Sequence, residues 1–163
     1  YRLTPGAPRA YLATRLVPVD SEQVLEQAEL PDFDRRTTAL VDEHQIDALA
    51  ADYGVRDDSP EPDAAQGAVT IVRYGRNSVS LDVETDRNAV VVLHDIYYPG
   101  WEVRVDGRPM RLLRTNLLFR GVEVTPGRHR VEFTYRPLSL ANLTTAVESM
   151  AEQESAMTES LAR

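Results

Sequence analysis

From residue 68 to residue 137 apolar and polar side chains alternate with a period of two. Val79, Leu81 and Val83 are separated by Ser80 and Asp82; Trp101, Val103 and Val105 by Glu102 and Arg104; Val131, Phe133 and Tyr135 by Glu132 and Thr134. A strand sends successive side chains to opposite faces, so each segment has one dry and one wet side, as an antiparallel sheet packed on one face requires. Ala89 to Leu93 is apolar on both faces and reads as a central strand. The turns agree. Asp106-Gly107 suits a type I′ hairpin between Trp101–Val105 and Met110–Arg114, and Thr125-Pro126-Gly127 suits a type II turn with Gly127 at positive φ. About six short strands joined by tight turns predict a mainly β fold, an antiparallel β-sandwich of jelly-roll or Ig-like kind.

Upstream, Ala10 to Val19 reads as a strand with Pro18 at an edge, and Arg36 to Val41 as a second; both are expected to join the same sheets. Asp20 with Gln23 fits a capping box for a short helix reaching about Glu29. Ile46, Leu49, Ala50 and Tyr53 predict a second helix over 43–53, stopped by Gly54. Beyond Pro137, Leu140, Leu143, Val147, Met150, Met157 and Leu161 form one apolar stripe. The expected organisation is one domain over 1–137, with a mobile loop at 54–67 and core strands at 68–137. An amphipathic helix over 138–163 follows, through which the chain could self-associate.

Charge excludes some functions. The net charge of -8 argues against a nucleic-acid partner, which needs an excess of cations. Yet between 101 and 136 eight Arg (104, 108, 111, 114, 120, 128, 130, 136) face four acids (102, 106, 123, 132), a local positive excess. Cysteine is absent, which removes disulfides and Cys-ligated zinc. His44, His94 and His129 lack metal-ligand spacing, so neither a metal nor a cofactor is expected. No apolar run reaches the length of a membrane span, and the start at Tyr1 is expected of a fragment of a longer protein.

Tyr97-Tyr98-Pro99-Gly100-Trp101, Val105-Asp106-Gly107, Asn116 with Phe119-Arg120-Gly121-Val122, and Pro126-Gly127 with His129, Val131, Phe133, Tyr135 and Pro137 form a long shared pattern. On these residues the chain resembles the C-terminal extracytoplasmic domain of the YfhO-like polytopic bacterial membrane proteins, relatives of the GT-C glycosyltransferases. Pro8-Arg9-Ala10-Tyr11 and Asp32-Phe33-Asp34-Arg35-Arg36 resemble the start of that domain. The resemblance covers roughly 8–42 and 68–137. It implies a module on the extracytoplasmic face of a bacterial cell membrane, joined to a membrane-embedded remainder and close to glycan or lipid-linked sugar. The family's sugar-transfer acids lie in loops between membrane helices, so no catalytic residue carries over. A membrane helix is expected soon after Pro137, where this chain continues with polar, Glu-rich sequence.

Six residues are candidates for touching a ligand. Tyr97, Tyr98 and Trp101 could stack on a sugar ring, although Trp101 reads first as a dry-face core residue, and one of the two adjacent Tyr must face outward. Asp95, with Arg114 and Arg120, could bind a phosphate or a sugar hydroxyl, against the plainer reading of an ion pair. Asp106 and Asn116 read as turn formers, and His94 as a hydrogen-bonded structural residue. The functional expectation is a domain that is not catalytic by itself and shapes or covers a sugar-transfer site or binds glycan. The alternative is a structural or protein-interaction module.

Overall fold

The computed structural model describes residues 8–27, 33–34, 36–46, 49 and 67–137. The structure is mainly β, in two mostly antiparallel sheets consistent with a β-sandwich. In chain order the elements are β1 (Ala10–Ala13), β2 (Arg15–Val19), α1 (Ser21–Gln27), β3 (Thr38–Asp42), α2 (Glu43–Ile46), β4 (Gly67–Tyr74), β5 (Ser78–Thr85) and β6 (Ala89–Ile96). After them come β7 (Trp101–Val105), β8 (Arg108–Met110), β9 (Leu113–Thr115), β10 (Phe119–Val124) and β11 (Gly127–Tyr135). One sheet has the order β1-β6-β10-β9-β3-β2 and the other β4-β5-β11-β7-β8. The strip expected to be the C-terminal helix (138–163) and most of the 54–67 loop lie outside the described residues.

Ala10 to Val19 is two strands rather than one. β1 pairs with β6, β2 runs parallel to β3, and they occupy opposite edges of the six-stranded sheet. Thr14 alone joins them, so the sheet has to curl until its edges meet. The backbone N–H groups of Thr14 and Arg15 both donate to the Thr37 carbonyl (2.9 and 3.1 Å), and the Tyr11 hydroxyl donates to the Thr38 carbonyl (2.9 Å). These bonds close the seam. Asn116, at φ 47°, continues it from the other side. Its side chain accepts from the Leu40 N–H and donates to the Tyr11 hydroxyl (both 2.9 Å).

The curl explains why β6 is apolar on both faces. Val90 and Val92 point into the curl with Tyr11, Ala13, Leu16, Ala39, Val41 and Leu113. Ala89, Val91 and Leu93 point the other way, into a core shared with the second sheet: Val79, Leu81, Val83, Val103, Val105, Val131 and Phe133. Each residue from Ala89 to Leu93 is therefore removed from water in one of two cores, and an uninterrupted apolar run is what such a stretch needs.

Local chemistry sets the remaining boundaries. Asp20 caps α1, its Oδ1 accepting from the Gln23 N–H at 3.1 Å, as the capping box predicts. Among the described residues α2 is a single turn, Glu43–Ile46; most of the rest of the helix expected over 43–53 lies outside the described residues. The strand expected at Met110–Arg114 is broken at Arg111-Leu112, where the chain leaves β8 in one sheet and enters β9 in the other. Asp106 and Gly107 have φ of 52° and 77°, the two positive values that a type I′ turn demands, and Gly127 also has positive φ (133°).

Candidate functional site

The sites follow from where the strands end. β6 ends at Ile96 and β10 begins at Phe119, with Ile96 and Phe119 paired. β7 begins at Trp101 opposite the end of β11 at Tyr135, and β4 ends at Tyr74. All five termini converge at one end of the sandwich. There a cleft of about 440 Å³ is lined by Arg9, Tyr74, Arg76, Asp95, Trp101 and Arg120 among others.

Asp95 is the hub. One carboxylate oxygen accepts from Arg9 Nη2 at 2.8 Å and the other from Arg120 Nη2 at 2.9 Å. The Tyr74 hydroxyl stands 3.0 Å from both oxygens, and Arg9 Nη2 also donates to that hydroxyl. The two arginines are unlike. Arg9 is about half exposed (54% of its side chain), whereas Arg120 is buried (4%). Bonding to Asp95 raises the Arg9 guanidinium above its ordinary value. Burial lowers that of Arg120, with Asp95 opposing the shift through its charge.

Aromatic faces hold both guanidinium groups. Arg120 Cζ lies 3.7 Å from the Trp101 ring centroid and 5.7 Å from that of Phe133, and Arg9 Cζ lies 4.4 Å from that of Tyr74. Nε and Nη1 of Arg120 are buried without a hydrogen-bond partner, so the ring faces and Asp95 are what compensate its desolvation. Register puts Trp101 on the dry face with Val103 and Val105, as its alternation predicts. It packs against the shared core but is only half-buried, because it sits at the strand end, where the Arg120 guanidinium lies over its ring.

The other candidates divide. Tyr98 is exposed (58%) and Tyr97 half-buried, and the Tyr98 ring lies 6.3 Å from Tyr135, which lies 5.5 Å from Trp101. Arg114 stands apart from Asp95. It is register-paired with Arg120, but its guanidinium reaches Asp42 at 3.7 Å and its N–H donates to Gln45. Asp42 itself is held below the usual carboxylate range, first by a hydrogen bond from Ser21. Arg9, Tyr74 and Arg76 were not legible as site residues. Arg9 precedes Asp95 by 86 positions, and only the pairing of β1 with β6 brings the two together. His94 is hydrogen-bonded as expected, its Nδ1 2.7 Å from the Pro8 carbonyl and its ring edge-on to Phe119, and it also lines the cleft.

At the opposite end a second constellation has the composition of a nucleophile triad. His129 Nδ1 lies 2.8 Å from Asp106 Oδ2, and Nε2 lies 3.0 Å from the Thr125 carbonyl and 3.5 Å from the Thr125 hydroxyl. Nε2 stands nearer the Thr125 carbonyl than its hydroxyl, and 3.5 Å to the hydroxyl is long for a nucleophile and its base. The trio is a staple between the turn at Asp106-Gly107 and the turn at Thr125–Gly127. It is completed by the Arg130 N–H donating to Asp106 Oδ1 at 2.8 Å. Asp106 is held below the usual carboxylate range, first by that N–H and then by His129. A depressed carboxylate adds stability above its ordinary pKa and loses it as pH falls through the folded value. The melting advantage of the native chain over Asp106→Asn should therefore shrink on acidification below about pH 4. Because Asp106 is half exposed (49%), that advantage is expected to stay under about 1 kcal/mol. An advantage that grows on acidification would overturn the assignment.

Among the described residues no group of three His, Cys, Asp or Glu could hold a metal ion, and no helix is long and apolar enough to cross a membrane. Searches of curated proteins and of solved structures return no match. A family model does match. Residues 62–145, about half of the chain, fit the model described as bacterial membrane protein YfhO, and they contain the hub Asp95, its partners Tyr74 and Arg120, Trp101 and the His129 staple. The chain belongs to the YfhO family of bacterial membrane proteins.

Proposed function

We propose that this domain is an extracytoplasmic module, not catalytic by itself, of a membrane protein similar to the GT-C glycosyltransferases. It holds a glycan, or the sugar of a lipid-linked donor, in the cleft beside Asp95. In doing so it shapes or covers the sugar-transfer site of the membrane-embedded remainder. The observation that carries this reading is the composition of the cleft. Ring planes of Tyr74 and Trp101 stand beside hydrogen-bonding groups of Arg9, Arg76 and Asp95. Sugars present that same combination of apolar ring faces and hydroxyl edges.

The same geometry disfavours chemistry in the cleft. Cleavage or transfer of a sugar commonly uses two carboxylates, one of them able to give up a proton. Asp95 is the one acid among the described residues lining the cleft, and it is engaged by two guanidinium groups and a phenol. Such a carboxylate serves as an acceptor for ligand hydroxyls and as an anchor for Arg9.

NMR titration of the 163-residue chain with cell-wall glycan fragments tests this. Shifts are expected at the Trp101 indole, Tyr74 and Arg76. Arg76→Ala should weaken binding about tenfold, the worth of one charge-assisted hydrogen bond. If saturating glycan leaves all three signals unmoved, the glycan reading fails.

A further inference from the structure

The cleft beside Asp95 runs against the charge of the chain. With 26 acids to 18 bases the protein carries a net charge of -8, so a surface taken at random is acidic. Among the described residues lining the cleft, however, Arg9, Arg76 and Arg120 stand against the one carboxylate of Asp95. Three guanidinium groups against one carboxylate leave a surplus of positive charge, and a concave wall of one sign concentrates its field where a ligand would sit.

The three cations differ in what they offer. Arg120 is 4% exposed, and its Nε and Nη1 are buried without a hydrogen-bond partner. It therefore acts on the cleft through its charge, which burial screens poorly, rather than by contact. Arg9 is about half exposed and spends Nη2 on Asp95 and the Tyr74 hydroxyl, leaving the rest of its fork to solvent. Its backbone is pinned, the carbonyl accepting from the His94 N–H at 2.8 Å. Arg76 is exposed and has no ion pair or hydrogen bond among the described residues. The turn that carries it is nevertheless fixed: the Gly75 N–H donates to the Ser78 carbonyl at 2.8 Å, and the Tyr135 N–H to the Asn77 carbonyl at 2.9 Å. Arg9 stacks on Tyr74 and Arg76 follows Tyr74 by two residues, so both accessible cations stand on the Tyr74 side of the cleft.

We infer that the ligand of this cleft is an acidic sugar, one whose ring carries a carboxylate or a phosphate, with the anionic group held by Arg9 and Arg76. The inference rests on the glycan reading above and narrows it to a class. A guanidinium fork matches either anion in its geometry. Asp95 does not stand in the way, because its charge is already shared between Arg9 and Arg120. A neutral sugar would leave the positive surplus unpaired, whereas an acidic one offsets it while its hydroxyls reach Asp95.

NMR titration of the 163-residue chain with three ligands that share one ring tests this. They are glucose, glucuronate, and glucose phosphorylated at the carbon that is the carboxylate of glucuronate. At least one acidic sugar is expected to bind about tenfold or more tighter than glucose, with shifts at Arg9, Arg76 and the Trp101 indole. The tighter of the two identifies the anion. Arg76→Gln keeps hydrogen-bond donors and removes the charge, so it should lower the ratio of acidic to neutral affinity about tenfold. Raising the salt from about 0.02 to about 0.5 M should lower the same ratio several-fold. Arg108→Gln, an exposed change outside the cleft, should leave the ratio as it is. Equal affinity for all three sugars would overturn the inference alone and leave the glycan reading standing. A ratio that Arg108→Gln lowers as much as Arg76→Gln would do the same, since overall charge rather than the cleft would set it. Inorganic phosphate binding as tightly as the phosphorylated sugar would overturn both, because the ring would then contribute nothing. Absence of shifts with every ligand would also overturn both.

Discussion

Replacing Asp95 by Ala is expected to destabilise the domain by about 3 kcal/mol, the range found when one partner of a buried ion pair is removed. Arg120 is the reason. Its side chain is 4% exposed, and two of its three nitrogens already have no hydrogen-bond partner. Asp95 holds the third, so its loss leaves a whole guanidinium buried against Trp101 and Phe133 with only ring faces for company. Arg9→Ala removes the other half of the same carboxylate's pairing. Because Arg9 is about half exposed and water can solvate what remains, that change should cost much less than Asp95→Ala.

Arg120→Met makes the contrast sharper. A flexible apolar chain can fill the space over Trp101, and Asp95 keeps Arg9 and Tyr74 as donors. The substitution should therefore cost less than Asp95→Ala, and the double variant should recover most of the loss. Urea denaturation with unchanged m-values would measure all four. If Asp95→Ala costs no more than Arg9→Ala, Arg120 is not the residue that needs Asp95.

Much of this arrangement was legible in the sequence, and what was not has a common cause. Period-two alternation placed the faces of β5, β7 and β11, and the double-sided apolar run identified β6 as buried on both sides. Asp106-Gly107 and Asp20 with Gln23 gave a turn and a cap, because those depend on neighbours a few residues away. The break at Thr14 had no local signal. Ala10 to Val19 reads as one strand, and only the pairing of β1 with β6 and β2 with β3 divides it.

The candidate site divides along the same line. Asp95, Trp101 and Arg120 lie close together in the chain and were read together; Arg114 was drawn in with them as a neighbouring Arg suited to a phosphate, yet its guanidinium reaches Asp42 instead. Arg9 and Tyr74 reach the hub from β-strand ends far away in the chain. Sequence alternation says which face a side chain takes. It does not say which strand end that face will meet.

Gly100 and Gly107 offer a matched pair for the second large effect. Both have positive φ, 100° and 77°, so alanine at either meets the strain of the left-handed region, about 1 kcal/mol or a little more. A Cβ at Gly107 would meet nothing within 4 Å, and the strain is the whole of its expected cost. At Gly100 the same atom would stand 2.8 Å from Tyr135 Cε2 and 3.1 Å from Pro137 Cα. The ring can turn; the backbone of Pro137 has to move. Overpacking adds about 1–3 kcal/mol, so Gly100→Ala should cost about 3 kcal/mol against about 1 for Gly107→Ala. The displacement would also pull on the Arg136 bond to the Gly100 carbonyl and on Tyr135, which lies 5.5 Å from Trp101. Trp101 is the only Trp in the chain, so its emission should shift in the folded state of Gly100→Ala and not of Gly107→Ala. Equal losses in the two variants would mean that Pro137 is not held against the turn.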